Sequence, residues 1–191
     1  MKNAILLHGS SCTPNSYWLP SVKNSLEKKG YSVWAPQLPD PAVPDLKKQL
    51  PFVLKNGSFN SETILIGHSS GCPLILSILE NIRVRIRKAI LVAGYARKLR
   101  KHSDPLLKKL EKDAEPILQE KYNWKKIKRN VKDIIFINSD NDPWGCNDKE
   151  GYYMFKNLGG MLIILYGEGH MGSDEFNQTY KKFPLLLKLI D

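Results

Sequence analysis

Thr63-Ile64-Leu65-Ile66-Gly67-His68-Ser69-Ser70-Gly71-Cys72-Pro73 is the stretch that decides how this chain folds. Thr63–Ile66 is a short, apolar, β-rich run, and Cys72–Ile82 carries a helical pattern, so the residues between them form a strand-to-helix turn. Gly67-His68-Ser69-Ser70-Gly71 fits G-x-S-x-G. The flanking glycines remove the Cβ clashes of so tight a turn, and the serine at its apex projects its hydroxyl above the sheet. A helix beginning near Ser70 turns its positive end toward that hydroxyl, where an oxyanion would develop. The five-residue pattern alone is a weak signal. Its position between strand and helix gives it weight.

Outward from this turn the same alternation fills the chain. Ala4–Leu7, Ser32–Ala35, Ala89–Ala93, Ile134–Asn138 and Met161–Tyr166 are further apolar, β-rich runs. Their near-continuous apolarity suits strands covered on both faces, as in a parallel sheet. Helical patterns cover Tyr17–Lys29, Pro105–Tyr122, Lys149–Asn157 and Asp174–Ile190, with Pro116 and Pro184 as break points. The expected fold is α/β: about six mostly parallel strands between two layers of helices, in one domain over residues 1–191.

Chemistry in such sheets sits beyond the carboxyl ends of the strands. A serine there needs a base, and the base needs an orienting carboxylate. Of the four histidines, His170 follows the last strand between Gly169 and Gly172 and completes the order Ser…Asp…His. His68 adjoins Ser69, where its side chain is expected to point away; His102 lies in a charged helical region, and His8 in the first loop. Asp140 and Asp142 both follow the fifth strand. Asp142, before Pro143 and 28 residues ahead of His170, is the choice, with Asp140 expected to bond its own turn. His8-Gly9-Ser10 after the first strand suits the second half of an oxyanion hole, joining the Ser10 N–H to that of Ser70. The candidate site is therefore Ser69, Asp142 and His170, with Ser10 and Ser70 as backbone donors.

Composition bounds this reading. A chain of 191 residues, 42% hydrophobic and 25% charged, can bury a substantial core and is not a disordered tail. The net charge of +10 raises nucleic acid, anionic membranes and acidic substrates as partners. Cys12, Cys72 and Cys146 lack paired CxxC spacing, so neither a disulfide scaffold nor a zinc site is expected, and no metal or cofactor is called for. The apolar run Ala4–Leu7 is too short for a signal-peptide core, and no run is long enough for a membrane helix. The expected location is cytoplasmic.

Leu38-Pro39-Asp40-Pro41, Val92-Ala93-Gly94-Tyr95, Tyr122-Asn123-Trp124 and Asp140-Asn141-Asp142-Pro143, together with the Gly67–Gly71 turn, resemble the retinoblastoma-binding protein 9 and YdeN-like serine hydrolases, in order over nearly the whole chain. The resemblance implies a small α/β-hydrolase fold with a minimal cap and without the first hairpin of larger members. It also implies a Ser-Asp-His triad on Ser69, Asp142 and His170, and carboxylesterase-type cleavage of small esters through an acyl-enzyme. Two departures stand out: His8 where some relatives carry proline, and Gly145-Cys146 where more apolar residues are usual. The triad leaves acyl transfer and amide or peptide hydrolysis open, and the fold leaves open a non-catalytic protein-binding module whose partner no motif reveals.

From Arg97 to Arg129 there are 12 Lys and Arg against 5 Asp and Glu. This segment follows the fourth strand, where α/β-hydrolases insert their cap, so a basic, helical, lid-like piece over the crevice is expected. Leu106, Leu107, Leu110, Ile117 and Leu118 give it a packing face. A solvated basic surface is preferred over one that steers anions. Trp124 among Lys125, Lys126, Lys128 and Arg129 is assigned to structure, and nucleic acid is not an expected partner.

Overall fold

The computed structural model describes residues 1–99 and 102–190. Six strands form one sheet: β1 (Asn3–Leu7), β2 (Ser32–Trp34), β3 (Ile64–His68), β4 (Ile86–Val92), β5 (Val131–Ser139) and β6 (Met161–Leu165). Their order is β2-β1-β3-β4-β5-β6, and every neighbouring pair is parallel. The helices are α1 (Leu19–Lys28), α2 (Leu46–Asn56), α3 (Gly71–Asn81), α4 (Pro105–Asp113), α5 (Trp124–Arg129), α6 (Asp148–Leu158) and α7 (Pro184–Lys188).

The serine-bearing strand is central for a physical reason. β3 is buried along its whole length, and α3 buries every residue from Gly71 to Leu79. A helix that is apolar all round must be enclosed, and α3 packs against β3, β4, α2 and α5. On the other side of the chain's path, Trp18 meets Phe183 edge to face at 5.6 Å, joining the start of α1 to the C-terminal segment.

Three helical expectations change. α2 was not visible in the sequence. Pro51 lies inside it, yet Asp45 caps it by accepting from the Lys47 N–H at 2.9 Å, and Gln49 and Val53 are buried. The helix expected over Pro105–Tyr122 stops at Asp113, because the residue before Pro116 is barred from helical geometry. The chain then restarts as α5 with Asn123 as its cap. The helix expected over Asp174–Ile190 shrinks to Pro184–Lys188. Before it, Ser173 and Gln178 pair as an antiparallel bridge, and Asn177 and Tyr180 take φ of 54° and 32°, which no helix allows.

Candidate active site

Ser69 sits between the last residue of β3 and the first turn of α3 with φ 51°, a left-handed conformation for a residue with a side chain. Its N–H donates to the Val92 carbonyl at 3.0 Å, and its own carbonyl accepts from Cys72 at 2.9 Å, so the turn is pinned to β4 and to the helix. The glycines on either side are required by close approach. A Cβ on Gly67 would lie 2.8 Å from Ile75 Cδ1, and one on Gly71 only 2.4 Å from the Leu7 carbonyl oxygen. Ser70 occupies the N-cap position of α3 without a side-chain capping bond and is buried.

His170 lies in a loop whose Gly167, Gly169, Met171 and Gly172 all have positive φ. Its Nδ1 is 2.7 Å from Asp142 Oδ2, with both side chains buried. A carboxylate only accepts, so Nδ1 carries the proton, and in the neutral ring Nε2 is the nitrogen with the lone pair. The other oxygen of Asp142 accepts from the Trp144 N–H at 2.8 Å. Trp18 Nε1 donates to the Met171 carbonyl at 3.0 Å, and the His170 N–H donates to Gln178 Oε1 at 2.7 Å.

The two acids part company here. Asp142 reaches the imidazole, whereas Asp140 accepts from the Gly167 N–H at 2.8 Å and ties the β5 loop to the β6 loop rather than to its own turn. Gly145, one of the two departures from the resembled family, takes φ 86° and turns the acid loop back toward α6, where Asn138 Nδ2 holds the Cys146 carbonyl at 2.8 Å.

His68 behaves differently from its expected role. It is buried and borders the same crevice as Ser69 and His170, and its Nε2 donates to the His170 carbonyl at 2.9 Å. Its ring stands 5.0 Å from that of His170. Burial first, and the neighbouring His170 second, push its pKa down to about 3, so it stays neutral beside the His170 ring. The G-H-S spelling was the only available sign of this support. His8 is a second structural histidine. Its Nδ1 donates to the Gly9 carbonyl at 2.9 Å, and its Nε2 accepts from the Leu38 N–H at 3.0 Å, joining the β1 and β2 loops. Burial lowers its pKa and keeps that acceptor available.

The crevice has a volume of about 70 Å³. Gly9 and Ser10 line it beside Ser69 and His170, and a Cβ on Gly9 would lie 3.0 Å from that of Ser69. From the segment between β4 and β5 it receives Leu99, Leu110, Glu111 and Ala114. Among the described residues no Lys or Arg lines it; its formally charged members are Glu111 and Glu175. The positive charge expected above the crevice thus does not enter it. Asp142, Cys146 and His170 hold potential metal-ligand atoms within 4.8 Å of one another. Burial holds the Cys146 thiol well above its ordinary pKa, so the set is arranged as a hydrogen-bonded Asp142–His170 pair beside a protonated thiol.

A parallel sheet in this order, with a serine on the sharp turn after its central strand and a histidine after its last, is the architecture of an α/β-hydrolase. The chain belongs to the serine hydrolase family, whose model matches residues 4–190. It is 29% identical over 144 residues to the YdeN protein of Bacillus subtilis (strain 168), a hydrolase by name, covering 74% of this chain and 71% of that one. It is 28% identical over 165 residues to the serine hydrolase RBBP9 of Rattus norvegicus, covering 86% and 83%. The crystal structure of the ydeN gene product of B. subtilis superposes with a TM-score of 0.84 at 25% identity, covering 100% of this chain and 97% of the other. Among the described residues no helix is long and apolar enough to cross a membrane.

Proposed function

We propose that this protein is a carboxylesterase acting on small, uncharged esters through Ser69, His170 and Asp142. The observation that carries the reading is the buried 2.7 Å contact of His170 Nδ1 with Asp142, which leaves Nε2 basic in the crevice that Ser69 lines. Ser69 Oγ attacks the acyl carbon and passes its proton to His170 Nε2, while Asp142 steadies the resulting imidazolium. The N–H groups of Ser10 and Ser70 hold the oxyanion. His170 then protonates the departing alcohol, and the ester bond breaks to leave an acyl-enzyme on Ser69. Water, deprotonated by the same nitrogen, releases the acid and restores the serine.

The segment between β4 and β5 closes this crevice as a minimal lid. A space of about 70 Å³ favours short acyl groups, and the acidic lining disfavours anionic ones. The three free thiols agree with a cytoplasmic setting. No cofactor takes part in this scheme. Ser69→Ala should lower turnover of a short-chain aryl ester by roughly 10³-fold or more while the fold is kept, and should abolish labelling by a fluorophosphonate. Unchanged turnover or equal labelling would remove the assignment.

A further inference from the structure

Two basic stretches, Arg83-Val84-Arg85-Ile86-Arg87-Lys88 and Lys125–Asp133, stand about forty residues apart in sequence and meet in the fold. Between them they carry nine Lys and Arg against the single Asp133, most of the excess charge of the chain. The β4–β5 register brings them together: Ile86 pairs with Val131 and Lys88 with Asp133, and Arg85 Nε donates to the Val131 carbonyl at 3.4 Å. The end of the segment expected to form a basic lid therefore leaves the crevice. Its Lys125–Arg129 portion lies in α5, which leads into the amino end of β5. A strand of nine residues separates that end from Asp142 by roughly 25 Å.

The two stretches border a groove of about 460 Å³ at the amino edge of β4, β5 and β6. Arg85, Lys88, Lys128 and Lys132 supply its cations against the one carboxylate of Asp133, and Val131, Ile134 and Ile135 give it an apolar floor. Gly160 lets the β6 wall close in, since a Cβ there would lie 2.3 Å from the Ile134 carbonyl. Lys128 Nζ stands 3.6 Å from the Cβ position of Gly159 at the same wall. Lys88 is buried and donates to the Leu189 and Ile190 carbonyls, so it adds fixed charge from beneath. Among the described residues, Arg85, Lys128 and Lys132 make no ion pair.

We propose that this groove is a binding site for an oligophosphate group, separate from the esterase crevice. Converging cations in a concave site suit a compact ligand with several negative charges better than a lone carboxylate. A single-stranded nucleic acid fits less well. It needs exposed rings for its bases, and Trp124 is instead packed against Tyr122 at 5.0 Å and Tyr153 at 6.0 Å.

The test is calorimetric titration of the full chain with inorganic tripolyphosphate at low salt, using two double variants that change net charge equally. Saturable 1:1 binding is expected, weakened roughly tenfold or more in Lys128→Glu/Lys132→Glu and little changed in Lys108→Glu/Lys112→Glu of α4. Ester turnover should stay at the wild-type level in the groove variant. Vesicles of phosphatidylcholine with phosphatidic acid distinguish the source: groove-dependent capture that tripolyphosphate reverses would identify a lipid headgroup, and its absence alongside tripolyphosphate binding a free ligand. Equal weakening in both variants, no saturable binding, or binding of a DNA duplex without tripolyphosphate binding would overturn the proposal.

Discussion

The two ends of the sheet solve the same turning problem with different residues. Where the amino end needs left-handed backbone, at Gly30, Gly159 and Gly160, the chain uses glycine, which adopts it without a steric penalty. At the carboxyl end Ser11, Asp40, Ser69, Ala93 and Met171 take positive φ with their side chains in place. Such conformations cost of order 1 kcal/mol or more each, so the end that holds the crevice carries backbone strain that the other avoids. The ends differ in charge as well. Acidic side chains line the crevice, and basic ones line the groove beneath. Strain is tolerated where a side chain must be aimed, and charge accumulates where nothing needs to be.

The largest expected break in this comparison comes from Asp142→Asn. With the carboxylate gone, the amide no longer selects the tautomer that leaves His170 Nε2 basic, and ester turnover should fall by roughly 10³- to 10⁴-fold with the fold retained. Steady-state kinetics beside a circular dichroism spectrum would check this. A smaller effect separates the ends sterically. Gly71→Ala and Gly160→Ala each force a Cβ onto a carbonyl oxygen, at 2.4 Å and 2.3 Å, and each should cost about 2 kcal/mol or more in urea unfolding. Only Gly71→Ala, beside Ser69, should also lower kcat of the folded protein. Equal kcat losses would erase the distinction between the ends.

A further effect concerns acid. An unfolded histidine takes a proton below about pH 6.5, whereas folded His68 resists protonation down to about 3. Between those values the unfolded chain binds the extra proton, so stability is intact above pH 6.5 and falls as pH falls. His8 acts in the same direction. His68 should contribute a slope of up to about 1.4 kcal/mol per pH unit in that window, and His68→Gln should remove that contribution. Hydrogen exchange at pH 5 should show protection lost first around the β1 and β6 loops at the carboxyl end. Earlier loss at the starts of β4 and β5 would contradict this.

Much of this molecule is legible from local signals. All six strands were visible as apolar runs: the inner ones because a parallel strand is covered on both faces, and the edge strands β2 and β6 although they are only partly buried. Ser69 and His170 stood out because glycines mark the unusual backbone around them. What escaped depended on distance in space. Asp142 could be chosen over Asp140 from its place before Pro143, but the partner of Asp140 could not be read, since only the path of the β6 loop brings the Gly167 N–H to it. α2 hid behind Pro51, and the expected long helix ignored the conformational veto that Pro116 imposes on its neighbour. The charge was counted along the chain, but that Lys125–Arg129 lies toward the amino end of β5, away from the crevice, was not visible. The pairing of Ile86 with Val131 could not be read from either stretch.

The ties that fix His170 also set an order of events during folding. Its loop is held by Asp142, 28 residues away, by His68, 102 away, and through Met171 by Trp18, 153 away. Closing loops of those lengths costs entropy that only the assembled sheet can offset. A partly folded chain can therefore already have its strands and its central helix, while the imidazole is aimed only once both ends of the polypeptide have docked.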